Sequence, residues 1–242
     1  MIQSRIEKLL SKEYHCSVEA LYKKGTVYSV KPHTEQPYIK ILAYRNCVVV
    51  CTSEDLQEKV QRLLQNRSRD EIFELPFVYG QTIHYVPDKD RKAPVPAAPG
   101  YTYEVLFEEE IRSLYGLNGF ENALAFDGDG ATPTKAVCIA RHGQKIVGAA
   151  GAAGSAVKDL WEAGVDVQEG YRDAGLGSCL VSRLTEELLA RGILPFYSAS
   201  VTNLGSQMVA HRCGYRPMWV DTFGTVLDGS SAYDDLVKSL RL

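Results

Sequence analysis

The sequence lacks the features that define several classes of protein. Its six cysteines include no Cys-x-x-Cys pair, so a zinc site would lack ligands and free, buried thiols are expected. No apolar run approaches the length of about 18 residues that a membrane-spanning helix needs. Residues 1–14 follow an amphipathic helix pattern and do not resemble a signal peptide. We therefore expect no metal, no membrane partner and a cytoplasmic location.

The chain also has little net charge. The balance of -3 over 242 residues gives no reason to expect a nucleic-acid partner, and a hydrophobic content of 45% is typical of a globular protein. Lys and Arg outnumber Asp and Glu by 15 to 12 in residues 1–99, but are outnumbered by 18 to 12 in residues 100–242. The acidic second part suits a cationic amine acceptor, although it is equally typical of a solvated acidic surface.

Proline is concentrated in one place. Four of the ten prolines lie in residues 87–100, and such density favours an extended, semi-rigid connection. We predict an auxiliary α+β domain over residues 1–95 and a second domain over residues 96–242. Residues 26–52 contain three strand-like runs, the last two joined as a hairpin at Arg45-Asn46, and residues 54–68 follow a helix pattern. Residues 107–126 predict a pair of helices broken at Gly116 to Gly119. The histidines at 15, 33 and 84 are too scattered to indicate a catalytic site.

The most informative stretch is WEAGVDVQEGYRDAGLGSCLVSRLTEELLARG, residues 161–192. Alternating side chains at its start predict a strand, and the glycines that follow predict a loop. Leucines then recur every four residues from Leu176 to Leu188, which predicts a helix. Arg172, Gly175 and Gly177 form Arg-x-x-Gly-x-Gly. Glycines permit a close approach of backbone N–H groups to an anion at the start of a helix, so a pyrophosphate would fit there. An ordinary glycine-rich turn remains the alternative.

A dinucleotide-binding Rossmann fold is the competing interpretation of a phosphate loop. It requires Gly-x-Gly-x-x-Gly and an acidic residue at the end of the next strand. The loop here is Gly-x-x-x-x-Gly-x-Gly, and the next strand ends in Ser198, Ala199 and Ser200. The sequence therefore argues against dinucleotide binding.

A second motif follows the first, in residues 194–215. LPFYSAS predicts a strand, and TNLGSQMVAHRCGY predicts a helix that Asn203 caps and Gly214 ends. Together with V-x-V-x-x-x-x-R-x-x-G-x-G from Val165 onward, this stretch resembles the GNAT superfamily of acyl-CoA-dependent N-acetyltransferases. The resemblance covers about the last 140 residues of the chain.

The resemblance implies a fold, a cofactor and a set of contacts. The fold would be α/β (α+β), with a GNAT-like mixed, mostly antiparallel sheet flanked by helices, preceded by the smaller α+β N-terminal domain. The cofactor would be acetyl-CoA. It would lie in an opening between the strand before the loop and the strand after the first helix. The implied cofactor-binding residues are Val165, Val167, Arg172, Asp173, Ala174, Gly175, Leu176, Gly177, Ser178, Asn203 and Ser206.

The resemblance is less complete for catalysis. Glu162 lies near where many of these enzymes carry a carboxylate base, with Asp166 as the second candidate, and a structural role stays open for either. Many members carry a tyrosine seven positions after the motif asparagine, where its hydroxyl protonates the departing thiolate. Ala210 occupies that position here, and the adjacent His211 would point about 100° away on the helix.

The function implied is N-acetylation of a primary amine of a small molecule, a metabolite or an antibiotic-like compound, by direct attack in a ternary complex. A small-molecule amine is then the partner, and a homodimer is left open. A CoA-binding sensor or scaffold without turnover is an alternative that Ala210 favours. Peptide or protein acetylation, with residues 1–95 recognising the acceptor, is another. Fold cannot separate these functions, because acceptor identity depends on details of the site.

Overall fold

A computed structural model describes residues 2–35, 37–75, 78, 80–88, 90 and 94–226 of the protein. The chain folds as two units, one formed by Gln3–Ile83 with the described residues from Met218 onward, and the other by His84–Pro217. The predicted boundary near residue 95 falls in the proline-rich segment, of which residues 89 and 91–93 lie outside the described residues. The division into domains of residues 1–95 and 96–242 stays a prediction.

The first unit combines helices with a small sheet. Its elements are α1 (Ile2–Glu13), β1 (Gly25–Val30), β2 (Tyr38–Tyr44), β3 (Cys47–Thr52), α2 (Glu54–Leu64), α3 (Arg69–Phe73) and the start of β4 (Thr82–Pro87). The predicted hairpin joins β2 to β3, and β1 pairs with β3 in parallel. Every residue of the valine-rich β3 is buried, and Val48 and Val50 on one of its faces pack against α2. The three predicted strands and the helix are confirmed.

The second unit holds the larger sheet. Its elements are β5 (Thr102–Phe107), β6 (Thr134–His142), β7 (Lys145–Gly154), β8 (Leu160–Val167), α4 (Leu176–Ala190), β9 (Leu194–Ser200), α5 (Leu204–Arg212) and the start of β10 (Tyr215–Asp221). Strands β5 to β8 pair antiparallel in chain order, and β8 then pairs in parallel with β9. The end of β10 and β11 (Thr225–Val226) both pair with β2 in the first unit. The predicted mixed, mostly antiparallel sheet flanked by helices is confirmed.

One predicted element is wrong. Residues 107–126 were expected to form a pair of helices, but they contain a single 3₁₀ helix, Glu108–Leu114, followed by turns. Gly116 and Gly119 adopt φ of +83° and +85°, a left-handed conformation that stops a helix from continuing. This helix begins with three glutamates, Glu108 to Glu110. The last of them caps the helix, because its carboxylate accepts the backbone N–H of Phe107 at 3.0 Å.

The turns after this helix explain the small residues of β7. Gly151 of β7 lies opposite Gly164 of β8. A Cβ at Gly151 would overlap the backbone oxygen of Ala123, and a Cβ at Gly164 would overlap that of Asn122. The turn therefore lies directly on the sheet at this glycine pair, so close packing accounts for the glycines there.

The cysteines are free thiols, and all but the half-buried Cys16 are buried, as predicted. Burial raises the pKa of Cys138 to about 12 and that of Cys16 to about 11, so these thiols stay protonated at neutral pH. Within the described ranges no cluster of three His, Cys, Asp or Glu side chains is arranged to hold a metal ion. Nor does that part of the chain contain a helix with the length and apolar character needed to cross a membrane.

Candidate functional site

Two adjoining cavities open where strands β8 and β9 separate. The paired residues of these parallel strands end at Ala163 and Tyr197, although both strands continue beyond. One cavity has a volume of about 540 Å³ and lies at the start of α4, and the other has a volume of about 370 Å³ and lies between the strands. We call them the loop cavity and the strand cavity. They share four lining residues, Asn122, Val165, Asn203 and Ser206.

The loop cavity collects most of the residues predicted to bind the cofactor. Of the eleven named from the sequence, only Ala174 is absent from its lining. The others lie together around it: Val165, Val167, Arg172, Asp173, Gly175, Leu176, Gly177, Ser178, Asn203 and Ser206. The two sequence motifs thus meet in one place, because α5 packs beside the first turns of α4.

The glycine loop has the conformation that an anion site requires. Asp173 and Gly175 adopt φ of +63° and +76°, which turns the chain sharply into α4 at Leu176. The N–H groups of the first turn of a helix have no partner within the helix and carry its positive end. Gly177 lies against the cavity walls, since a Cβ there would be 3.6 Å from both Val167 and Val209.

The arginine of the loop braces the turn. Its Nε donates a hydrogen bond to the backbone oxygen of Val167 at 3.0 Å, which ties the loop to the end of β8. Arg212, from the last turn of α5, adds a second guanidinium group to the lining of the same cavity. The cavity therefore combines a helix start with two cations.

Ser178, in the first turn of α4, lines the loop cavity and has a buried hydroxyl. Its side chain is only 2% exposed, and within the described residues its Oγ has no hydrogen-bond partner. An unpaired buried hydroxyl costs free energy, and this one lies beside the loop cavity. An oxygen-rich ligand such as the pyrophosphate of CoA fits a cavity with these donors.

The strand cavity contains an exposed carboxylate. Glu162 lines this cavity, and its Oε1 accepts a hydrogen bond from Ser198 Oγ at 2.6 Å. Ser198 Oγ in turn lies 2.8 Å from Nδ1 of His84 on β4. A carboxylate that is reachable from solvent can attract an ammonium group and accept its proton.

Asp166, the second predicted catalytic carboxylate, lies in the other cavity. Its oxygens accept the backbone N–H of Asn122 at 2.7 Å, the Asn122 side-chain amide at 2.6 Å and the backbone N–H of Ala123 at 3.0 Å. These bonds hold the turn that packs on the glycine pair. They also place Asn122 against both cavities.

The position expected to hold a tyrosine faces neither cavity. Ala210 is fully buried, and His211 is exposed outside both linings. Tyr197 of β9, by contrast, lines the strand cavity and is 2% exposed. Burial raises the pKa of Tyr197, against a smaller lowering by a hydrogen bond to Ser206, so its hydroxyl stays neutral at ordinary pH.

Three side chains at or next to the strand cavity were not predicted from the sequence as site residues: Tyr197, Ser198 and His84. The first two lie in the LPFYSAS strand that the resemblance places at the opening, so reading that strand's side chains would have found them. His84 left no such signal, since it is 114 positions from Ser198 in the chain.

Comparison with known proteins finds one family match and several similar solved structures. The family described as "Acetyltransferase (GNAT) family" matches residues 103–215. No curated protein matches.

Three similar solved structures are a GNAT-family protein from Novosphingobium aromaticivorans, a GCN5-related N-acetyltransferase-like protein from Streptococcus suis and a GCN5-related N-acetyltransferase from Sphaerobacter thermophilus. Their identities to this chain are 17%, 17% and 12%, and their TM-scores are 0.45, 0.45 and 0.48. The matches cover 61%, 74% and 78% of this chain, and 65%, 71% and 60% of those chains.

Proposed function

We propose that this chain, whose residues 103–215 match the GNAT acetyltransferase family, acetylates a primary amine of a small molecule with acetyl-CoA. The amine would be that of a metabolite or an antibiotic-like compound, and it would attack directly in a ternary complex. One observation carries the proposal: the exposed carboxylate of Glu162 lies in a cavity that adjoins the cavity of the glycine loop. A donor in one and an acceptor in the other would meet where the two join.

The loop cavity would hold the donor. Acetyl-CoA supplies the thioester whose carbonyl carbon the amine attacks and whose thiol leaves. The start of α4, with Arg172, Arg212 and Ser178, supports binding of its pyrophosphate. Residues 164–167 of β8 pair with β7 on one edge, while their other edge faces the opening. Backbone groups of Val165 and Val167 on that edge would pair with the pantetheine amides.

The strand cavity would hold the acceptor. An ammonium group is attracted to the carboxylate of Glu162, and its nitrogen must lose a proton before it can attack a carbonyl carbon. We assign Glu162 as the base that takes this proton. We assign Asp166 a structural role, because its two oxygens already accept three N–H groups of the neighbouring turn.

The departing sulfur needs a hydrogen-bond donor other than the side chain at position 210, which is an alanine. Tyr197 lines the strand cavity and contacts Ser206, which lines both cavities. Its raised pKa keeps the phenol protonated where a free thiol, with an ordinary pKa of about 8.5, begins to ionise. We therefore assign Tyr197 as the hydrogen-bond donor that stabilises the developing thiolate.

The competing function is a CoA-binding sensor without turnover, which the buried Ala210 favours. A panel of primary amines and peptides incubated with acetyl-CoA, with free thiol as the readout, separates the two functions. Amine-dependent thiol release that Glu162→Gln abolishes supports the enzyme. CoA binding in a calorimeter, with no thiol release for any member of the panel, would favour the sensor.

A further inference from the structure

Three polar side chains from three strands form a continuous hydrogen-bonded chain. His84 lies on β4, Ser198 on β9 and Glu162 on β8. Ser198 Oγ is 2.8 Å from His84 Nδ1 and 2.6 Å from Glu162 Oε1. An ionised carboxylate only accepts, so the single hydroxyl hydrogen of Ser198 goes to Glu162. The hydrogen of the other contact must then come from Nδ1 of His84.

We propose that Ser198 and His84 are positioning residues for Glu162 and complete the acceptor site. The chain holds Oε1 of the carboxylate against β9 and leaves Oε2 as the oxygen that receives the proton of the acceptor amine. The proposal rests on the proposed function, because it gives the carboxylate of that reaction its orientation. It also adds a residue from outside the matched range of residues 103–215, namely His84.

An exposed glutamate needs such a restraint to act as a base. Glu162 is exposed, and a free side chain of this length distributes over many rotamers. A hydrogen bond of 2.6 Å to a carboxylate is charge-assisted and short, which makes it one of the stronger contacts available. The N–H of His84 polarises the hydroxyl of Ser198 and so strengthens its bond to the carboxylate.

The imidazole is itself oriented by packing. Its ring lies 6.4 Å from the ring of Phe196, tilted by 43°, and Phe196 is buried in β9. His84 is half-buried, so its ring has less freedom than a surface histidine. The chain therefore begins on a fixed ring and ends on the carboxylate in the strand cavity.

The test in activity compares variants that remove a link with variants that restore it. Ser198→Ala and His84→Phe should each lower kcat about ten-fold, with KM for acetyl-CoA unchanged. Ser198→Thr keeps the hydroxyl and His84→Asn keeps an N–H donor, so both should recover most of the rate. The double variant should lose no more than Ser198→Ala, because His84 acts through Ser198. His33→Asn and Ser113→Ala, at exposed positions outside both cavities, are matched controls and should retain full activity.

A second readout does not depend on turnover. In protein labelled with ¹⁵N-histidine, the Nδ1 resonance of His84 should be that of a protonated nitrogen and should shift in Ser198→Ala and in Glu162→Gln. If no amine is acetylated but the resonance responds to both substitutions, the proposed function is wrong and the hydrogen-bonded chain from His84 through Ser198 to Glu162 is supported. If thiol release depends on Glu162 while Ser198→Ala and His84→Phe keep full kcat, the positioning role is overturned and the proposed function stands. A resonance indifferent to both substitutions overturns the proposal in either case.

Discussion

One carboxylate in each unit shows two opposite surroundings for a polar side chain. In the N-terminal unit Glu7, 5% exposed, accepts hydrogen bonds from Gln3, Tyr22 and Tyr44 at 2.9, 2.7 and 3.0 Å. In the unit His84–Pro217 the carboxylate of Glu162 is exposed in a cavity. Polar groups that satisfy one another stabilise a fold, whereas those that face a cavity are available to a ligand.

The sharpest test of this contrast exchanges the two carboxylates for amides. Glu162→Gln removes the proposed base and should lower kcat/KM by about 10² to 10⁴, because an amide cannot accept the proton. CoA affinity should change little, since Glu162 does not line the loop cavity. Steady-state kinetics and calorimetry on the same sample measure both quantities.

Glu7→Gln is the matched substitution in the other unit. It weakens the bonds from Tyr22 and Tyr44 and should lower the free energy of unfolding by about 1 to 3 kcal/mol, with kcat unchanged. A loss of turnover in Glu7→Gln, or full turnover in Glu162→Gln on a confirmed acceptor, would contradict the division of roles.

The next largest effect is expected in the glycine loop. Gly175→Val places a β-branched residue at φ +76° beside the loop cavity, and Gly177→Val fills space against its walls. Loss of even one bond to a charged phosphate should weaken CoA binding about ten-fold or more. Calorimetry with CoA measures it.

Gly192→Val provides the control for strain. Gly192 has φ +74° at the opposite end of α4 and lines neither cavity, so its substitution carries the same backbone cost without the ligand. If Gly175→Val, Gly177→Val and Gly192→Val all bind CoA with equal affinity, the loop is not the anion-binding site.

Two buried tyrosines extend the comparison with a smaller effect. Tyr197→Phe should lower kcat about ten-fold, with stability little affected, because it removes one hydrogen bond to the departing sulfur. Tyr14→Phe should leave kcat unchanged and lower the free energy of unfolding by about 1 to 3 kcal/mol, because the Tyr14 hydroxyl donates to the buried Asp221 at 2.9 Å. The reverse pattern of losses would show that Tyr197 is structural.

The smallest effect is a dependence of stability on alkaline pH. Burial, followed by the hydrogen bond to Glu7, raises the pKa of Tyr44 to about 12, above its ordinary value of about 10. The neutral phenol is favoured in the folded state, so its contribution to stability is complete below about pH 10 and is lost as the pH rises toward about 12. Urea unfolding between about pH 9 and about pH 11.5 should show a steeper fall in the wild type than in Tyr44→Phe.

Local signals made the elements around the site predictable. Asn203 caps α5 as expected, accepting the backbone N–H of Ser206 at 3.0 Å, and Gly175 turns the chain into α4. These features depend on the conformational freedom of glycine and on bonds between near neighbours, so they can be read from a few residues. The prediction of a helix pair over residues 107–126 was wrong although it also used local signals. Gly116 and Gly119 adopt positive φ, so a single 3₁₀ helix, Glu108–Leu114, is followed by turns.

The sequence by itself determined that a glycine loop leads from a strand into an amphipathic helix, and that a capped helix follows after one more strand. Periodicity, capping and glycine act over a few residues, so no distant contact was needed. Only the tertiary structure decided that Asp166 holds a turn, that Ala210 faces neither cavity and that His84 reaches Glu162 through Ser198. These outcomes depend on where β4, β8 and β9 lie in the sheet, and pairing between segments far apart in the chain leaves no local pattern in the sequence.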